Sequence, residues 1–132
     1  MDQSYVKIFN EWDIVAARQL GRNKAKELGF GVVDQARITT AISELARNIY
    51  LYAKQGKILI ELIEESGHKG LIIIAEDNGP GILDIGRVME DGFTTSGGLG
   101  AGLPGVKRLM DAFDIESIPE KGTKITVTKW LR

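Results

Sequence analysis

Residues 70–82 read GLIIIAEDNGPGI, a near-continuous apolar run that ends in acid and then breaks into asparagine, glycine and proline. A run of this kind, bounded by turn residues, predicts a central strand covered by other layers. Asp77 closes the strand, and Gly79 and Gly81 behind it let the backbone turn sharply and let a ligand approach closely. A carboxylate held at a strand end is a hydrogen-bond acceptor suited to an exocyclic amine. Taken alone, the Asn-Gly and Pro-Gly pairs also read as a plain turn.

Upstream, residues 57–65 (KILIELIEE) predict a second strand, joined to the first through EESGHKG as an antiparallel hairpin. That turn holds the one histidine, His68, which is therefore expected at the surface, so that a histidine-based triad or multi-histidine metal site is hard to build. Before the hairpin, Ile38, Ile42, Leu45, Ile49 and Tyr52 recur at the spacing of one helical face and predict a helix over 33–53. Earlier still, residues 5–9 alternate like a strand, and Asp13 is expected to cap a helix carrying Ile14, Ala17, Leu20, Ala25 and Leu28 until Gly29 stops it.

Downstream lie a short helical candidate over 84–90, the glycine-rich stretch DGFTTSGGLGAG (91–102), and a helix expected to bury Leu103, Val106, Leu109, Met110 and Phe113. Two further strands follow, FDIESI and TKITVTKWL, separated by PEKG. The predicted fold is an α/β two-layer sandwich, with a mixed sheet of four or five strands and the helices on one face.

With 132 residues, 43% of them hydrophobic, the chain is expected to form one domain over 1–132 around one core. Seventeen basic against 18 acidic residues leave a net charge of -1, which argues against nucleic acid or an anionic membrane surface as partner. Without cysteine there are no disulfides or catalytic thiols. The polar amino-terminal stretch and the lack of any apolar run near the roughly 20 residues that span a bilayer point to the cytoplasm.

Within the 33–53 helix, SELARN places Glu44 and Asn48 four residues apart, one above the other on a single face. At about 100° per residue both lie roughly 100° from the centre of the apolar stripe, at the boundary of the core, where a cleft wall would stand. A carboxylate there can take a proton from an attacking hydroxyl, and an amide oxygen can ligate magnesium bridging phosphates. In isolation the pair equally suits an ordinary solvated helix face.

In SGGLGAGLPG (96–105) a run of glycines feeds the helix near Leu103, so that free amides and a helix amino terminus converge as they do for phosphate. Residues 100–105 spell G-x-G-x-x-G, yet no buried strand precedes them as a dinucleotide fold requires, and no G-x-x-x-x-G-K-[ST] occurs.

Glu44 and Asn48, then Asp77-x-Gly79-x-Gly81, then Gly98-x-Gly100-x-Gly102, then Gly122-Thr123 resemble, in that order, the boxes of the GHKL (Bergerat-fold) ATPases and kinases. Length favours the small serine kinases of bacterial partner-switching systems, which the chain resembles over essentially its whole length, including the stressosome switch-protein kinases. The resemblance implies ATP and Mg2+ as cofactors and Glu44 as general base toward an acceptor serine or threonine. Asn48 would be the magnesium ligand, Asp77 the acceptor for the adenine amine, and Thr123 a support for the adenine pocket. Gly79 and Gly81 would shape that pocket, while Gly98, Gly100 and Gly102 would bring lid amides to the phosphates. The implied partners are a STAS-domain antagonist, both substrate and sequestering partner, and a PP2C-type phosphatase that the released kinase activates in the general stress response. A nucleotide-gated anti-sigma factor without essential kinase activity is the alternative. Against it, related anti-sigma kinases commonly carry histidine where this chain has Tyr52; a second departure is Leu83, where GPGIP is common.

Overall fold

A computed structural model describes residues 3–53, 55–81, 89 and 102–132. Chain order is β1 (Gln3–Ile8), α1 (Glu11–Leu28), α2 (Val32–Asn48), a π-helical turn (Ile49–Ala53), β2 (Gly56–Glu65), β3 (His68–Asp77), α3 (Gly102–Leu109), β4 (Ala112–Ile118) and β5 (Gly122–Trp130). The predicted helical segment over 84–90 lies outside the described residues, Met89 excepted.

Asn10, not Asp13, caps α1. Its side-chain oxygen accepts from the Trp12 and Asp13 N–H groups at 2.9 and 3.2 Å. Asp13 sits three residues further on and returns the favour, accepting from the backbone N–H of Asn10 at 3.1 Å and of Phe9 at 2.8 Å. This reciprocal box satisfies donors at both ends of the first turn, which is why the helix starts earlier than a single cap at Asp13 would place it. Gly29 ends α1 as expected, in the left-handed conformation with φ 103°.

The short link to α2 folds the two helices against each other. At Gly21 the contact is so close that a Cβ would run into Ile42 Cδ1, so glycine sets the distance between them. Along α2 the expected stripe is buried at Ile38, Ile42 and Leu45 and continues to Ile49. Beyond Asn48 the winding widens into the π turn, and Tyr52 is 53% exposed rather than buried. Each residue of a π turn advances less angle than in an α-helix, so Tyr52 falls off the stripe.

The sheet runs in the order β1-β2-β3-β5-β4. It is not mixed: among the described residues every ladder is antiparallel. β4 does run in the same direction as β3, but the hairpin return inserts β5 between them, so no parallel ladder forms. The β2–β3 hairpin closes through Ser66 and Gly67, both at positive φ (52° and 81°), the two-residue turn whose twist suits an antiparallel pair. His68 opens β3 opposite Glu65 and is exposed.

β3 is central, as predicted, but covered on one side only. Leu71, Ile73 and Ala75 are buried beneath the helices, while Ile72 and Ile74 on the other side are half-buried. The core lies between the helices and the sheet, where Ile58 and Ile60 of β2 and Ile125 and Val127 of β5 meet Leu45, Leu103 and Val106. Each fully buried aliphatic side chain of this size contributes about 1.5–3 kcal/mol. Phe113 belongs to β4 rather than to the preceding helix, which ends at Leu109.

A buried cation fixes α3. Lys129 of β5 donates to the Leu109 carbonyl at 2.9 Å and stands 3.8 Å from carboxylate oxygens of both Asp34 and Asp111. It thus caps the carboxyl end of α3 and ties it to the start of α2. Burial works against the charge on Asp111, but the Trp130 N–H, Arg132 and Lys129 outweigh it and hold that carboxyl below the usual range.

Candidate nucleotide site

Asp77 stands at the last position of β3, paired in register with Gly56 on one side and Thr123 on the other. Its Oδ1 accepts the Gly79 N–H at 2.9 Å, and the Thr123 N–H also donates to the carboxylate. Burial pushes the Asp77 carboxyl above the usual range, and these two backbone donors offset part of that rise. The result is a partly dehydrated acceptor, aimed by its own turn and its neighbouring strand.

Side chains are excluded around it. At Gly56 a Cβ would lie 2.9 Å from Asp77 Cβ and 2.5 Å from the Glu76 carbonyl oxygen. Gly122, at φ 137°, brings its backbone against the Asp77 carbonyl, where a Cβ would clash outright. Gly79 packs on Ala53 at the end of the π turn, and Gly81, at φ 78°, packs on the Ile118 carbonyl. The Glu120 N–H donates to the Pro80 carbonyl at 2.6 Å, pinning this loop to the β4–β5 turn. Thr123 is 6% exposed, and its hydroxyl lies 2.9 Å from that of Ser117, which donates in turn to the Gly122 carbonyl at 3.2 Å.

Asn48 comes to this cluster with the end of α2, while Glu44 faces a separate groove. Asn48 is half-buried at the end of α2; one residue on, Ile49 would meet a Cβ on Gly56 at 2.9 Å, so the end of the helix abuts the Asp77 strand end. Glu44, one turn earlier, is only 4% exposed and lines a groove of about 610 Å3 between α1 and α2. Gly102, at φ 65° and buried, opens α3, whose first amides have no partner within the helix. Of the glycines expected on the phosphates, Gly98 and Gly100 lie outside the described residues. The structure therefore assembles Asp77, Gly79, Gly81 and Thr123 into one cluster, with the end of α2 against it.

The donor set suits Mg-ATP. Among the described residues no group of three or more acidic, histidine or cysteine side chains could hold a metal alone. Magnesium asks for less, one or two protein oxygens beside those of phosphate, and the Asn48 amide can be one of them. Two residues of the cluster escaped sequence reasoning, Gly56 and Ser117. The alternation of FDIESI carried a signal for Ser117, since it puts Phe113, Ile115 and Ser117 on one face of β4.

Residues 33–132 match the family described as histidine kinase-, DNA gyrase B- and HSP90-like ATPase. The serine/threonine-protein kinase RsbT of Bacillus subtilis is 74% identical over 131 residues, 99% of this chain and 98% of that one. An anti-sigma F factor of Thermoanaerobacter is 35% identical over 112 residues, covering 81% and 78%. Among solved structures, the RsbU and RsbW domains of a Mycobacterium tuberculosis protein superpose with TM-score 0.67 at 18% identity, over all of this chain and 34% of that one. The SiaB–SiaC complex from Pseudomonas aeruginosa superposes with TM-score 0.56 at 14% identity, over 99% and 90%. With a match that takes in α2, the Asp77 turn and the strand of Thr123, the chain belongs to the histidine kinase-, DNA gyrase B- and HSP90-like ATPase family.

Proposed function

We propose that this single-domain chain is an ATP-dependent protein serine/threonine kinase of a partner-switching system, working in the cytoplasm. The full-length 74% identity to a serine/threonine-protein kinase carries the reading, and the Asp77 cluster supports it. No helix among the described residues is long and apolar enough to cross a membrane.

Asp77 accepts the exocyclic amine of adenine in a pocket shaped by Gly79 and Gly81 and supported by Thr123. The amides of Gly98, Gly100 and Gly102 would hold the phosphates, and the Asn48 amide oxygen would take one position on a magnesium ion, which would supply neutralisation of phosphate charge there. Glu44 accepts the proton of the acceptor hydroxyl as that oxygen bonds to the gamma-phosphorus and the bond to the ADP oxygen breaks. The acceptor is a STAS-domain antagonist that sequesters the kinase until it is phosphorylated, and the released kinase binds and activates a PP2C-type phosphatase.

A second reading, a nucleotide-gated switch without essential transfer, is favoured by the 35% identity to an anti-sigma F factor. Incubation of the protein with a STAS-domain acceptor and gamma-labelled ATP, with Asp77→Asn as control, separates the two. Acid-stable label on the acceptor, lost in the control, is the expected result; magnesium-dependent nucleotide binding without label moves the function to the switch.

A further inference from the structure

The groove beside Glu44 carries charges that phosphoryl transfer itself leaves unused. Arg18 and Arg22 line it from α1, four residues apart and hence on one face, and Arg47 lines it from α2, three residues after Glu44. Glu44 is the one acid among its described lining residues. Other cations are engaged: Arg37 with Asp34, Lys129 and Arg132 with Asp111, Lys57 with Glu76. Arg18, Arg22 and Arg47 form no ion pair or hydrogen bond among the described residues. Three guanidiniums thus converge on a groove of about 610 Å3 in a chain whose net charge is -1.

We infer that Arg18, Arg22 and Arg47 dock an acidic segment of the acceptor protein and so bring its hydroxyl to Glu44. The inference rests on the kinase reading above and names which surface of that site receives the protein substrate. The groove does not suit the nucleotide phosphates, because mid-helix amides are already engaged and only side chains, among them Thr40 and Ser43, are left to bind. Guanidinium forks are matched to carboxylates, two bonds at a time. Packed helices stand about 8–10 Å apart and an extended segment rises about 3.3 Å per residue. A segment whose hydroxyl reaches Glu44 therefore presents side chains within about three positions of that hydroxyl to the arginines. The partner is an acceptor with carboxylates at those positions. The arginines are positioning residues, and their effect belongs in the acceptor KM rather than in nucleotide binding.

The test is steady-state phosphorylation of the STAS-domain acceptor by the full chain, with poly-L-glutamate as competitor and nucleotide affinity measured separately. Arg18→Glu combined with Arg22→Glu should raise the acceptor KM about tenfold or more, with nucleotide affinity unchanged. Poly-L-glutamate should compete with the acceptor on the wild type and lose that effect on the double variant. Arg18→Lys with Arg22→Lys, which keeps the charge but loses the fork, should leave the acceptor KM between those of the wild type and the double reversal; Arg47→Gln, should the double reversal not fold, should raise KM in the same direction. Transfer with an unchanged acceptor KM in these variants and no inhibition by poly-L-glutamate would overturn the docking site alone. A wild-type protein that binds nucleotide and transfers nothing overturns the kinase reading and this site with it.

Discussion

Asp77 and Thr123 face each other across the β3–β5 ladder, and the Thr123 backbone N–H donates to the Asp77 carboxylate. The acid is thereby aimed by two segments far apart in sequence, its own turn at Gly79 and the strand that follows the β4–β5 hairpin.

Replacing Asp77 by Asn keeps the shape and an oxygen for the Gly79 N–H but removes the charge. Nucleotide affinity should fall about ten- to a hundredfold, the cost of a charge-assisted hydrogen bond, as read by calorimetry. An unchanged affinity would remove Asp77 from the adenine pocket.

The pH dependence of the same residue has two opposite signs. Burial raises the folded pKa of Asp77 above 3.8, so its favourable contribution to stability is full below 3.8 and is lost as pH rises through the raised value. At neutral pH, Asp77→Asn should therefore unfold at the same temperature as the wild type or higher. Nucleotide binding needs the carboxylate, so affinity should weaken on acidification sooner than it would for an ordinary aspartate. Thermal unfolding and nucleotide titration across pH 4–7 read both effects.

Glu44→Gln should lower phosphoryl transfer about a hundredfold or more while nucleotide still binds, the loss expected for a general base. Single-turnover assays with gamma-labelled ATP measure it, and retained transfer would remove Glu44 as the base.

Gly122→Ala should destabilise the fold by about 1–3 kcal/mol, since φ 137° strains any side chain and the new Cβ would clash with the Asp77 carbonyl. Denaturant unfolding reads the loss, and nucleotide affinity should drop with it because Thr123 moves away from Asp77.

Lys129→Met leaves the Leu109 carbonyl without its donor and leaves Asp34 and Asp111 each with an arginine alone. Because Asp34 and Asp111 are partly open to water, the cost should be about 1–3 kcal/mol, below that of a fully buried pair. Asp111 has a depressed pKa, so its stabilisation is present above 3.8 and disappears as pH falls through the depressed value. Asp111→Asn should accordingly flatten the acid limb of a stability-against-pH curve.

Much of this architecture was legible from local pattern. The stripe of Ile38, Ile42, Leu45 and Ile49, the stop at Gly29 and the hairpin around Ser66-Gly67 each depend on a few neighbouring residues, and each stands where periodicity and turn chemistry place it. The start of α1 was misplaced because two candidate caps, Asn10 and Asp13, lie three residues apart and share one box.

The amino-acid sequence by itself determined the order of the two long helices and five strands, the one-sided burial of the helices and the acid that ends β3, because these follow from backbone periodicity and from residues adjacent in the chain. Only the tertiary structure decided that Glu44 is buried, that Tyr52 turns outward, and that the sheet is antiparallel throughout. It alone set Gly56 and Thr123 on either side of Asp77 and gathered three arginines beside Glu44. Those relations join segments tens of residues apart, and strand register and helix packing, which no short stretch encodes, fix which side chains meet.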